Sequence, residues 1–207
     1  MVKKISVTNK NISTKIGQIK MSNDKSEKFE QEEEVPLVSI QLLFDEIDSE
    51  TSREICAWIL NANFAKNKPD MLNLIINSPG GNINDAYAII DIMKSSSIPV
   101  RTIGLGQIQS AGLMIFMSGT KGERILTPNT SIMSHQYSWG AMGKHNELVA
   151  IRKEFDLTYH RMMEHYKTHT KLKEKDIIKY LLPSEDCYLS SEEALKLGVC
   201  DRIALVG

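Results

Sequence analysis

From residue 35 onward the apolar positions fall into short runs that alternate between two spacings. Residues 35–44 place Val38, Ile40, Leu42 and Phe44 at every second position, the period of a strand. Residues 48–61 change to a helical period, with Ile55, Trp58 and Ile59 as the apolar stripe and Ser49 or Thr51 available as a cap. After a turn at 66–70, residues 72–77 form a short apolar strand that stops at Ser78-Pro79-Gly80-Gly81. A helix follows with Ile83, Ala86, Tyr87, Ile90 and Met93 on one face, and residues 96–99 break it before a strand at 100–105. This strand–helix–strand rhythm predicts parallel strands joined by right-handed crossovers, an α/β architecture in which ligands meet the carboxyl ends of strands.

The second half is read in the same way. Residues 124–126 and 132–135 are short strands around the turn Thr127-Pro128-Asn129-Thr130, and the second of them ends in His135. Residues 137–143 contain two glycines and read as extended chain. The strongest helical signal is 144–167, where Leu148, Ile151, Phe155, Tyr159, Met162 and Tyr166 recur at three- and four-residue steps. A helix of that length either projects toward a partner or packs as an ordinary core helix. A short helix at 175–182 ends at Pro183. Ser190 and Glu193 form a capping box for the next helix, Gly198 stops it, and 199–205 is a final strand. Residues 1–34 carry isolated apolar residues among lysines and then the polar run ending Glu32-Glu33-Glu34. They read as a flexible arm, with a short strand near Ile5 or Ile16.

Composition narrows the class. The 207 residues are 42% hydrophobic and 25% charged, with a net charge of −1, which fits a soluble globular chain and gives no general pull toward nucleic acid or a membrane surface. No run approaches the roughly 18 apolar residues of a membrane span, and the N-terminus lacks the apolar region of a secretory signal. The three cysteines, Cys56, Cys187 and Cys200, are scattered, as expected of reduced thiols in a cytoplasmic protein and not of a disulfide framework or a zinc site.

Candidate chemistry centres on residues 104–119, where a glycine-rich opening leads to Ser110 and then to an almost wholly apolar segment ending at Gly119. The segment reads as a short buried helix, with Ser110 at the end where backbone N–H groups lack partners. Taken alone, Ser110 reads more plainly as an N-cap on a core helix. A serine becomes a nucleophile when an imidazole takes its proton and a carboxylate orients that imidazole. His135 and Asp186 supply those residue types. The other histidines, His145, His160, His165 and His169, lie on or just beyond the long helix, where exposure is expected. Alone, His135 would be a satisfied core histidine, and Asp186, beside Glu185, a surface charge.

Several motifs together change that balance. Asn77-Ser78-Pro79-Gly80-Gly81, Gly106-Gln107-Ile108-Gln109-Ser110-Ala111-Gly112, Gly119-Thr120-Lys121-Gly122-Glu123-Arg124, Met133-Ser134-His135-Gln136 and Asp186-Cys187-Tyr188-Leu189-Ser190, with Glu193, Ala194, Gly198 and Asp201, occur in one order. This colinear set, spanning about residues 35–203, resembles the proteolytic subunits of Clp proteases. The resemblance implies a crotonase-like ββα superhelix over residues 35–207 with a projecting long handle helix (handle about 137–170). It implies a serine endopeptidase of unfolded polypeptides with Ser110 as nucleophile, His135 as general base and Asp186 as orienting carboxylate. The backbone N–H groups of Gly81 and Ala111 would form the oxyanion hole. It further implies a homo-oligomeric ring, a heptamer or a stacked double heptamer, served by an AAA+ unfoldase, with no metal or cofactor in the peptidase itself.

The chain departs from the family pattern at Gln109 and Ala111 around the serine and at Tyr137, where proline is usual. None of the motifs that carry the resemblance falls in residues 1–34. Three alternatives remain at this stage: a structural ring subunit with a weak site, a crotonase-like acyl-CoA hydratase or hydrolase, and a capsid-maturation protease of related fold.

Overall fold

A computed structural model describes residues 38–205; the expected arm at 1–34, with its strand near Ile5 or Ile16, lies outside the described residues. The elements alternate as expected. β1 (Val38–Leu43), α1 (Ser49–Phe64), β2 (Met71–Ser78), α2 (Ile83–Ser95), β3 (Val100–Gln109) and α3 (Ala111–Met117) form successive strand–helix units. They continue as β4 (Arg124–Leu126), β5 (Ser131–Ser134), α4 (His145–His169), α5 (Glu174–Tyr180), β6 (Cys187–Leu189), α6 (Ser191–Leu197) and β7 (Arg202–Ile203). Among the described residues the strands make one sheet in the order β1-β2-β3-β4-β7, with β5 paired to both β3 and β6. All pairings are parallel except β5 with β6. This mixed α/β fold is of the expected kind.

β3 is longer than its pattern suggested and forks the sheet. Its first half, at Thr102 to Gly104, pairs with β4, and its second half, at Gln107 to Gln109, pairs with β5. The change falls at Gly106, whose φ is 66°. A Cβ there would sit 2.6 Å from Asn77 Oδ1, and that same oxygen accepts a 3.1 Å hydrogen bond from the Gln107 N–H. Glycine therefore permits a left-handed kink that an adjacent side chain completes. The kink carries the end of β3 to β5, the strand that leads to His135.

α3 lies at the centre of the core, and all seven of its residues are buried. Such a helix is apolar on every side because every side meets protein. Arg124 joins the far end of the sheet: its Nε and Nη2 donate to the Asp201 carboxylate at 2.9 and 2.7 Å, and its Nη1 donates to the His169 carbonyl. Burial alone would raise the Asp201 pKa, but the Arg124 bonds outweigh it and hold the carboxyl below its usual range.

Several details correct the pattern-based reading. α1 is capped by Asp48, whose Oδ1 accepts from the N–H groups of Glu50 and Thr51, while Thr51 Oγ1 accepts from the Asp48 N–H. Thr51 thus completes a capping box instead of supplying the cap, and Ser49 is the first helical residue. On β1, Val38, Ile40 and Leu42 point outward and are 62%, 57% and 53% exposed. The polar positions face inward instead, where Ser39 Oγ accepts from Trp58 Nε1 at 2.9 Å. β6 was not anticipated, and β7 covers only two residues of the expected 199–205 strand. His165 is buried at 4% exposure and His169 is half-buried, contrary to the expectation for histidines on α4; His145 and His160 are exposed.

Candidate active site

β2, β3 and β5 deliver their carboxyl ends to one place. β3 ends at Gln109, and the chain turns into α3 through Ser110 at φ 52°, ψ −122°. Ser110 is the one non-glycine with positive φ among the described residues. Such a conformation costs on the order of 1–3 kcal/mol and persists only where the surroundings impose it. Here they do: the Ser110 N–H donates to the Met133 carbonyl of β5 at 2.9 Å, and the Ser110 carbonyl accepts from the N–H groups of Leu113 and Met114. The side chain makes no cap bond to α3. Instead Ser110 Oγ lies 2.7 Å from His135 Nε2. The plainer N-cap reading of this serine therefore fails on geometry.

The turn after β2 fits against the serine because it is glycine. A Cβ on Gly80 would lie 2.8 Å from both the Gln109 carbonyl oxygen and Ser110 Cβ. At Gly81, φ is 147°, and a Cβ would run into the Ile47 backbone. Ile47 brackets this residue, donating its N–H to the Gly80 carbonyl and accepting from the Asn82 N–H. The Gly81 N–H between them has no hydrogen-bond partner among the described residues, and neither does the Ala111 N–H in the first position of α3. Both residues line the same cavity as Ser110 and His135, a space of about 360 Å³.

His135 is the first residue after β5, one position beyond its expected place within that strand. Its Nε2 accepts from the serine hydroxyl when Nδ1 carries the proton, and Nδ1 faces Asp186 Oδ1 at 3.4 Å. That separation is looser than a good charge-assisted hydrogen bond. Asp186 is also open to water, with a side-chain exposure of 55%. The structure thus brings Ser110, His135, Gly81 and Ala111 together on one cavity, with Asp186 behind the imidazole and outside the cavity wall.

The rest of the wall comes from residues outside the expected catalytic set. Tyr137 and Trp139 form an aromatic side with Phe155, their ring centroids 5.2 and 6.2 Å from its own, and Met114 and Met162 also line the cavity. Phe155 and Met162 were visible as part of the α4 stripe. What assigns them to a cavity is the return of residues 137–139 across that stripe, which periodicity does not report. Tyr166 also lines the cavity; its hydroxyl lies 2.7 Å from Ser134 Oγ, and burial pushes its pKa up to about 12. It therefore remains a neutral hydrogen-bonding group that anchors the end of β5.

Residues 26–206 match the family model described as Clp protease. The chain belongs to the Clp protease family. Among Clp protease relatives, the ATP-dependent Clp protease proteolytic subunit of Deinococcus radiodurans is 32% identical over 157 residues, 76% of each chain. The proteolytic subunit 2 of Corynebacterium diphtheriae is 32% identical over 164 residues, 79% of this chain and 81% of the relative. That of Nocardia farcinica is 30% identical over 165 residues, 79% of each. As a Clp protease family member the chain carries its serine and histidine at a fork in a parallel sheet. Among the described residues no helix is long and apolar enough to cross a membrane, and no cluster of three or more His, Cys, Asp or Glu is arranged to hold a metal.

Proposed function

We propose that this chain is a serine endopeptidase subunit that hydrolyses unfolded polypeptides within an oligomeric ring. The observation that carries the reading is the 2.7 Å contact between His135 Nε2 and the hydroxyl of a serine held at positive φ. In the proposed reaction Ser110 Oγ attacks the scissile carbonyl as its proton passes to His135 Nε2. Asp186 offsets the imidazolium charge through Nδ1–H. The carbonyl oxygen, now an oxyanion, accepts from the N–H groups of Gly81 and Ala111. The imidazolium returns its proton to the leaving amine, and a water deprotonated by His135 then releases the acyl group. The chemistry calls for no metal or organic cofactor.

The substrate side follows from the cavity walls. Aromatic and methionine side chains suit an apolar side chain next to the cleaved bond. Residues 137–143, without ladder partners of their own among the described residues, offer backbone groups to an extended peptide. The outward apolar face of β1 supports burial against another copy in a ring, a heptamer or stacked double heptamer, because contiguous apolar surface of this kind marks an interface. In this reading residues 1–34 are a separate arm, 35–207 the peptidase domain and 137–170 the handle between rings, and the ring works with a separate AAA+ unfoldase. The relatives' names, which include the words ATP-dependent, support that last assignment. The free thiols suit a cytoplasmic setting.

A second reading, a ring subunit of low resting activity, draws on the 3.4 Å His135–Asp186 separation. One experiment addresses both. Native mass measurement after exposure to a fluorophosphonate should find an assembled ring carrying one label per subunit on Ser110, and none in Ser110→Ala. Rings that label slowly until a partner binds would favour the second reading. A wild-type protein that stays unlabelled at Ser110, whether dispersed or assembled, would overturn the proposal.

A further inference from the structure

His135 is held differently on its two sides. Upstream, β5 is hydrogen-bonded between β3 and β6, and Ser134 is additionally bonded to the buried Tyr166 hydroxyl. Downstream, the chain leaves the sheet, and residues 136–144 belong to no helix or strand. Among the described residues, two side-chain bonds near the histidine secure this exit. Gln136 Nε2 donates to the Leu182 carbonyl at 3.0 Å, and the Tyr137 hydroxyl donates to the Phe155 carbonyl at 3.1 Å. A helical carbonyl keeps a second lone pair beyond its intrahelical bond, so α4 can accept this donor without losing a turn. The Tyr137 ring also lies against Phe155, with centroids 5.2 Å apart at 31°. Burial raises the Tyr137 pKa, which keeps its hydroxyl a donor at neutral pH.

We infer that Tyr137 is a positioning residue for His135. It clips the exit of β5 to α4, so that the imidazole stays within reach of Ser110 while peptide occupies the cavity beside it. Asp186 is poorly placed to do this alone, since it stands 3.4 Å from Nδ1 and is open to solvent. Tyr137 itself touches neither reacting atom. It acts through the backbone of residues 135–137 and, as part of the cavity wall, through Phe155. The inference rests on Ser110 and His135 being the reacting pair.

The test compares full-length wild type, Tyr137→Phe and Tyr137→Leu. Two rates are measured: fluorophosphonate labelling of Ser110 per assembled subunit, and kcat and KM on a fluorogenic peptide. Removing the hydroxyl alone should slow labelling and kcat together by about 5-fold, with KM within about 2-fold of wild type, since a lost neutral hydrogen bond is worth roughly that factor. Removing the ring as well should lower kcat further and also raise KM. Tyr137→Phe keeps the packing and carries the decision if the leucine variant folds poorly. Labelling of Tyr137→Phe at the wild-type rate overturns the inference. So does a loss confined to melting temperature or assembly, with each assembled site reacting normally. A wild type that cannot be labelled at all is a different result, because it removes the reacting pair and the inference with it.

Discussion

The proposed nucleophile, Ser110, and the proposed base, His135, sit 2.7 Å apart but belong to regions of opposite character. Ser110 is fixed by backbone: a hydrogen bond to β5, two bonds from α3, glycine turns packed against it, and a helix beneath it that is buried along its whole length. His135 stands where the sheet ends, and side-chain bonds of its neighbours hold it there: Ser134 to the Tyr166 hydroxyl of α4, Gln136 to the Leu182 carbonyl before β6 and Tyr137 to the Phe155 carbonyl of α4. Beyond it, residues 138–150 are exposed throughout. Under the proposed function, a site built in this way has a fixed nucleophile and an adjustable base. Control over its reactivity would enter from the α4 side, because packed cores resist small displacements while side-chain clips at a surface do not.

The sharpest way to test the fixed half is to remove the hydroxyl. Ser110→Ala should lower peptide hydrolysis by on the order of 10⁴ or more while leaving the unfolding midpoint nearly unchanged, because the turn is held by main-chain bonds. A variant retaining more than a hundredth of wild-type turnover would exclude Ser110 as nucleophile. Gly81→Ala comes next. Its methyl meets the Ile47 backbone, so the turn must move and one proposed oxyanion donor moves with it. The expected loss in kcat is about 10²–10³-fold, the usual cost of one such donor. An unchanged kcat would remove Gly81 from the site.

Asp186→Asn examines the adjustable half. In a buried triad the equivalent change is drastic, but here the carboxylate is half-exposed and 3.4 Å from Nδ1. The loss should therefore be smaller, roughly 10–10²-fold in kcat, since a solvated, loosely placed charge stabilises an imidazolium less. A fall as deep as that of Ser110→Ala would mean that the pair closes fully during turnover.

The same contrast explains what could be read without coordinates. The fixed half was legible. Glycines before an apolar run, and strands ending in Ser78-Pro79-Gly80-Gly81 and Ser110, mark the carboxyl edge of a parallel sheet. The long α4 stripe was legible as a period. The adjustable half was not, because its contacts are tertiary. Nothing in 137–143 announces that Tyr137 and Trp139 will fold back over Phe155. Alternation on β1 located a strand but could not say which face is buried, and there the apolar face points outward. β6 has three residues and no periodicity to detect. His165 was misjudged by residue type, although it follows Met162 by three positions and so shares the inner face of α4.

That buried histidine yields the smallest of these effects and links α4 to the fixed half. His165 Nε2 lies 3.0 Å from the Met114 carbonyl on α3, so Nε2 carries the proton and Nδ1 is the site left to titrate. Nδ1 is buried without a hydrogen-bond partner among the described residues. Burial, with the neighbouring His169 and Lys94, depresses the His165 pKa to about 3. The unfolded chain regains an ordinary histidine pKa near 6.5. Between those values the unfolded state binds the proton and the folded state does not, so stability is fully present above pH 6.5 and falls as pH drops toward the folded value. From pH 7 to pH 5 this one group should cost about 2 kcal/mol of unfolding free energy. His169, lowered by the same burial, adds in the same direction. Denaturant unfolding of wild type and His165→Gln at both pH values measures it. Glutamine can still donate to the Met114 carbonyl but cannot take the extra proton, so the variant should lose clearly less stability on acidification. Equal losses in the two proteins would show that His165 does not remain neutral in the fold, and that its contact with α3 tolerates a charge.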